Sequence, residues 1–371
     1  MMCQQALCVA NRCTTRESPP VDLDRDGFGA LPCGNDCDDR NPARFVGMFE
    51  SCDLVDNDCD ELVDEGSRPT FLPGQLTTDV LGAAPAMVDS TPGILFISRF
   101  GGRALEVRWV GTESSLIGLA SVGDTVDVAA VRSLGGGRAE IVWSSAIAPI
   151  SLRRTLVRVE VGASVSILIE RTETLALLPS RPSAIRLEGD AIGAAVLVAT
   201  AETTLLVLPG LAPIPVAPFA LDLAVAGGIV VFPSDADTLT AHDRTLGTRV
   251  GTVDLSAPLD SNDPLVAWGT RLFAYNATQL TEIDPATLRE VRSVDIGIHT
   301  NAFFGAGARE LLFADFDSNV VGLDADLRMT PHASLLSTLP GQHQIFELGT
   351  HVVVVSTGTG STTYQVEQCG S

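Results

Sequence analysis

Residues 269–297 read GTRLFAYNATQLTEIDPATLREVRSVDIG. An apolar run is followed by a polar turn, a second β-rich run ending at Asp284, a D-x-x-T turn and a third run. The same order returns in AGGIVVFPSDADTLTAHDRTLGTRVGTVDL (226–255) and in ARELLFADFDSNVVGLDADLRMTPHASL (308–335). Short β-branched runs broken by Gly, Asp, Asn and Pro point to strands and tight turns, and no amphipathic helix of useful length interrupts them.

Such units start near Ala86, Val126, Pro182, Leu223, Leu265, Ala302 and Gln344. Most are spaced by about 40 residues, the length of a four-stranded propeller blade. The unit 126–181 is longer and should carry extended strands. The last is short, and the strand-like residues 71–80 can complete it, closing a ring without an open edge. The expected fold is therefore all-β: a β-propeller of about seven four-stranded blades, with six or eight admissible and a two-sheet sandwich as the alternative. LTEIDPATLREVRSV resembles the YVTN and PQQ-like propeller repeats, over roughly residues 75–368 and most sharply in the later blades. That resemblance implies a fold and not an activity.

Outward from the repeats, the N-terminal part has a different character. Residues 22–66, DLDRDGFGALPCGNDCDDRNPARFVGMFESCDLVDNDCDELVDEG, hold fourteen Asp and Glu against Arg25, Arg40 and Arg44. Half of the formal net charge of −22 lies there, and such a balance excludes a nucleic-acid partner. A segment this small and charged cannot collapse on apolar burial alone. All basic residues are Arg, which suits a GC-rich bacterial genome. The expected organisation is a Cys-containing leader and linker (1–20), an acidic Cys-rich calcium-binding module (21–66), a hinge (67–74) and the propeller (75–371).

Within the module, Asp22, Asp24 and Asp26 alternate before Gly27, with the Phe28 carbonyl at the seventh position. This is the opening of a calcium loop, except that Cys33 stands where an EF-hand has its closing Glu. Asp56, Asp58 and Asp60 repeat the pattern, with the Leu62 carbonyl seventh and Asp64 ninth, and Glu61 in place of glycine. Asp36, Asp38, Asp39, Asp53 and Glu65 are further shared ligands. Two unscreened carboxylates 4 Å apart repel by about 4 kcal/mol at an effective dielectric of about 20, so the cluster calls for cations. Oxygen-only ligation from flexible loops favours calcium.

DLDRDGFG, CGNDCDDRNP, ESCD and VDNDCDELVDEG resemble the MopE-type metal-binding motif of secreted bacterial proteins, kin in style to thrombospondin type 3 calcium repeats. The family tends to have Gly at the positions of Leu54 and Glu61. The resemblance implies metal binding, with copper as the rival to calcium. The module has no His or Trp, and Met48 is its one methionine, which argues against copper.

Cys3, Cys8, Cys13, Cys33, Cys37, Cys52, Cys59 and Cys369 make an even set, read as a disulfide framework rather than zinc sites. The pairing is open from spacing alone, although Cys369 is expected to bond an N-terminal cysteine. This usage places the protein outside the cell or on its surface. The opening MMCQQALC lacks the features of a signal peptide, so the true start is expected upstream. Pro209, Pro213, Pro215, Pro218 and Asp222 break the apolar run 205–232, which excludes a membrane span there.

Catalytic motifs are not found. His242, His299, His332, His343 and His351 scatter through the later blades, and Trp109, Trp143 and Trp268 read as fillers between blades. Asp243, Asp284 and Asp324 recur with the blade period as turn residues. The sequence reads as a non-catalytic secreted or cell-surface calcium-binding protein whose propeller binds a protein or glycan. The alternatives are a propeller enzyme, hydrolase or quinoprotein-like oxidoreductase, and a cytoplasmic scaffold with free thiols.

Overall fold

The computed structural model describes residues 3–9, 12–18, 22–24, 28–29, 34–41, 44–46, 56, 59 and 69–369, the last without 77–78, 90, 101–103, 112–116, 124, 163, 191–192, 219–221, 261–263, 277–278, 297–302, 308–309, 315–318, 335–341, 349–350 and 359–360. Two compact units form: Met1–Thr70 with Glu367–Ser371, and Phe71–Val366. Every regular element among the described residues is a strand. None of them is a helix able to cross a membrane.

The larger unit is a β-propeller. Its described residues form seven four-stranded antiparallel sheets, each with its strands in spatial succession. The innermost strands are Asp79–Pro85, Val126–Gly135, Pro182–Asp190, Ala224–Ala226, Leu265–Trp268, Phe303–Ala306 and Gln342–Leu348. Each touches the next, and the seventh touches the first, so the sheets close a ring. The Ala83 N–H donates to Gln344 Oε1 at 2.9 Å across that last junction.

Six of the seven starts fall within two residues of the expected positions. The first does not: its strand is DVLGAAP, Asp79–Pro85, ahead of Ala86. Propensity favours bulky β-branched residues, whereas this strand is built mostly of small ones and owes its place to pairing with Gly93–Phe100. A Cβ on Gly82 would already meet Val131 and Ile97 at 3.4 and 3.5 Å. The long second blade has strands of 10, 8, 11 and 13 residues, as its length implies.

Closure comes from outside the repeat. Pro69–Leu76 is the outer strand of the seventh sheet, beside Ser361–Cys369. Within the stretch expected as a hinge, 67–74, residues 69–74 belong to this strand, and the division between the two units falls at Thr70/Phe71. Pro69 and Pro73 are tolerated because an edge strand does not need every N–H for the ladder.

The core lies between sheets. Alternate residues of a strand point to opposite faces, and both faces are covered. Ile94 and Phe96 pack with Val353 and Val355 of the seventh blade, while Leu95 and Ile97 pack with Ile141 and Trp143 of the second. Likewise, Leu272 and Ala274 face the fourth blade and Phe273 and Tyr275 the sixth. Trp109 and Trp143 fill the first–second junction, their indole N–H groups donating to Ala86 O (3.1 Å) and Thr155 Oγ1 (3.0 Å). A charged ladder crosses the second blade: Arg132 and Arg154 pair with the buried Glu140, and Arg154 also with Glu173. Losing one partner of such a pair leaves a buried charge.

The recurrent aspartates cap turns. Asp243 Oδ1 accepts from the Thr245 and Leu246 N–H groups at 2.8 Å each, and Asp284 Oδ1 from Ala286 N–H at 2.9 Å. These bonds hold both carboxyls below the usual aspartate range, led by Leu246 N–H for Asp243 and the Thr287 hydroxyl for Asp284.

Two measurements check this account. Gly93→Ala places a Cβ 2.2 Å from the Trp109 ring, and should lower unfolding free energy by about 1–3 kcal/mol in denaturant titration. Removing residues 1–76 strips the closing strand, and the shortened chain should melt lower or aggregate on heating.

Candidate functional site

The acidic unit begins with a hairpin of Cys3–Val9 and Arg12–Ser18, in which Cys8 stands opposite Cys13. Beyond it, three acidic segments meet at Asp36-Cys37-Asp38-Asp39. The Leu23 N–H donates to Asp39 Oδ1 at 2.9 Å, which ties in the segment 22–24. A Cys37–Cys59 disulfide ties in the segment around Asp56, and Arg44 Nε donates to the Asp56 carbonyl at 2.9 Å. Arg44 Nη1 also lies 3.6 Å from Asp38 Oδ2.

Among the described residues of the acidic region, the one ring contact is aromatic stacking. Phe28 and Phe45 stack with centroids 4.0 Å apart and planes at 10°. Asp36 and Phe45 share an antiparallel bridge, the Val46 N–H donates to Asn35 O at 2.7 Å, and the Asp36 N–H to Gly29 O at 3.1 Å. Gly34 is required for that approach, because a Cβ there would fall 1.6 Å from Gly29 O.

Asp36 is the buried carboxylate of the group, 1 % exposed. Its Oδ1 accepts the Asp38 N–H at 2.7 Å, while Oδ2 is buried without a hydrogen-bond partner. A buried acceptor left unsatisfied costs about 1–3 kcal/mol, and more when charged. A cation at Oδ2 removes that penalty, so the residues present fit a hard metal ion.

Of the expected ligands, Asp22, Asp24, Phe28, Asp36, Asp38, Asp39 and Asp56 are described. Asp26, Asp53, Asp58, Asp60, Asp64, Glu65 and the Leu62 carbonyl lie outside the described residues. Among the described residues no three carboxylate, thiolate or imidazole groups gather as a metal cage. The disulfide expectation holds at Cys37–Cys59, which joins one member of each loose pair and removes both from any zinc site. The partners of Cys3, Cys8, Cys13, Cys33, Cys52 and Cys369 lie outside the described side chains. Sequence reading treated Asp36–Asp39 as auxiliary ligands and missed Arg44. No spacing rule marks an arginine that reaches across twelve residues.

A second polar group lines the ring. In Pro182–Asp190, Ile185 and Leu187 are buried toward the second blade, leaving Arg186 and Glu188 on the other face. Asp222, just ahead of the short strand Ala224–Ala226, lies 3.9 Å from Arg186 Nε and accepts the Leu265 N–H at 2.7 Å. Glu188, on the innermost strand of the third blade, keeps an exposed surface while protein crowds around it. The loss of solvation from that crowding, reinforced by Asp222, pushes its carboxyl up to about 7 against the opposing pull of Arg132 and Arg186. Asp222 is raised too, mainly by burial. Sequence periodicity gave no hint of this group. His242, by contrast, is structural: it is buried, its Nδ1 is 3.0 Å from Gly247 O, and it stacks on Phe232.

A raised carboxyl favours the protonated native state, so Glu188 detracts from stability as pH climbs from the unfolded value toward 7. Glu188→Gln should therefore raise the melting temperature at pH 8 by about 2 °C and lose that advantage below pH 4.5.

Comparison with known proteins agrees with both units. Residues 36–65 match the family model described as "Cu-binding_MopE: Putative metal-binding motif". No curated protein matches the chain significantly. Among solved structures, Raptor from Chaetomium thermophilum superposes with a TM-score of 0.55 at 10% identity, covering 82% of this chain and 30% of that one. Selenomethionine-substituted virginiamycin B lyase from Staphylococcus aureus gives 0.47 at 10% identity, covering 80% and 99%. BamB from Moraxella catarrhalis gives 0.41 at 13%, covering 77% and 85%. At these identities the likeness is one of fold alone.

Proposed function

We propose that this chain is a non-catalytic secreted or cell-surface protein in which residues 21–66 bind calcium and the propeller binds a protein or glycan. The observation that carries the calcium reading is the buried Asp36 Oδ2, orphaned at the junction of three acidic segments within the matched motif. Asp22, Asp24, Asp26, the Phe28 carbonyl, Asp36, Asp38, Asp39, Asp53, Asp56, Asp58, Asp60, Asp64 and Glu65 are the ligands assigned to it. When bound, the cation neutralises carboxylate repulsion and links the loops. The chain's own groups supply oxygen donors and, through Cys37–Cys59, hold two of the segments together.

The matched model's name mentions copper. The donor chemistry supports calcium instead, because copper sites favour imidazole and soft sulfur ligands, whereas this module has no His, a single Met and a disulfide at Cys37–Cys59 among many carboxylates. The disulfide supports an oxidising compartment. A second reading, a propeller enzyme, is favoured by one observation, the Glu188, Asp222 and Arg186 group, in which both carboxyls are raised. Carboxyls with raised proton affinity are what acid–base chemistry uses.

Calorimetric titration of the full chain after chelator treatment tests the metal. Calcium should give a saturable heat with a dissociation constant of about 10⁻⁴ to 10⁻³ M, the range of extracellular modules. Asp36→Asn should weaken it at least ~10-fold while leaving the melting of the propeller unchanged. Saturation by copper alone, or by neither ion, defeats the calcium reading.

A further inference from the structure

We infer that Arg44 is a positioning residue for the cation site: its guanidinium locks the Asp56 segment against Asp36–Asp39 and so sets the affinity of the module. This inference rests on the calcium reading above. The Cys37–Cys59 disulfide joins the two segments at one point, and rotation about a single link leaves their carboxylates unaligned. Arg44 adds the second point. Its Nε donates to the Asp56 carbonyl at 2.9 Å, and its Nη1 lies 3.6 Å from Asp38 Oδ2. Cys37 and Asp38 are adjacent, and Asp56 precedes Cys59 by three residues, so the two ties are close in both segments.

The backbone aims the side chain. Asn41 N–H donates to Asp38 O at 2.8 Å and Arg44 N–H to Asn41 O at 3.0 Å, so two successive backbone bonds hold Asp38, Asn41 and Arg44 close together. Arg44 is half-buried, which restricts its rotamers. A guanidinium can bond a carbonyl with one edge and a carboxylate with another, in fixed planar geometry, while an ammonium offers a point charge on a loose stem. The charge also offsets part of the repulsion among Asp36, Asp38, Asp39 and Asp56.

The test compares wild type, Arg44→Gln and Arg44→Lys in the full chain by calcium calorimetry. Both variants should bind calcium about 10-fold more weakly, the loss typical when a group orienting a metal ligand is removed. Lysine should fail to rescue although it keeps the charge. Unchanged or tighter binding by Arg44→Gln overturns the inference, the latter by making Arg44 a competing cation. Full rescue by lysine overturns it as well, because charge alone would then suffice. In chelator, reduction of Cys37–Cys59 by dithiothreitol, followed by alkylation and mass spectrometry, should be faster in both variants. That readout needs no metal. If wild type shows no saturable calcium heat, the calcium reading fails and the role of Arg44 toward a cation fails with it, while the reduction rates still show whether Arg44 ties the two segments.

Discussion

A four-stranded sheet that is apolar on both faces has two surfaces to bury, and a single neighbour covers only one of them. Ile94 and Phe96 on one side, Leu95 and Ile97 on the other, state the requirement within four consecutive residues. Each sheet then needs a neighbour on both sides, and a row of such sheets has two unsatisfied ends. Closing the row into a ring removes them. Contact between the seventh and first innermost strands, with Ala83 N–H bonded to Gln344 Oε1, is the point where that closure is made. Pro69–Leu76 completes the last sheet from the opposite end of the chain, so the outer strand of the seventh blade cannot form until both ends of the sequence have met.

The acidic unit solves a different problem. Its carboxylates oppose compaction, and one aromatic stack, Phe28 on Phe45, cannot outweigh them. Covalent and charge ties take the place of a core: Cys37–Cys59, the Asp39 bond to Leu23, and Arg44 between Asp38 and Asp56. All converge on four residues, Asp36–Asp39. The unpartnered oxygen of Asp36 lies at that convergence, and it is why a cation suits the unit better than a further hydrogen bond would. In the propeller the buried Glu140 is held instead by paired charges, Arg132 and Arg154.

Repeat period, turn residues and carboxylate spacing are local properties, and they were legible. The blade starts near Val126, Pro182, Leu223, Leu265, Ala302 and Gln344 follow from strand-and-turn patterns recurring about every 40 residues, and the turn roles of Asp243 and Asp284 from their place in those turns. The metal motif is legible for the same reason. The first blade was misplaced because DVLGAAP is made mostly of small residues and lacks the β-branched run that marks a strand, while its pairing with Gly93–Phe100 is set by the fold.

Sequence by itself determined the all-β class, the blade repeat, the division into an acidic and an apolar part, and the oxygen-rich chemistry of the former. Sequence also pointed to the strand near residue 71 that closes the ring, while tertiary structure alone decided that Cys37 pairs with Cys59, that Asp36–Asp39 is the meeting place, and that Arg186, Glu188 and Asp222 come together. The physical reason is range. Strand and turn preferences act between near neighbours, whereas a disulfide across 22 residues, or a carboxyl raised by another 34 positions away, depends on distances that only the folded chain sets.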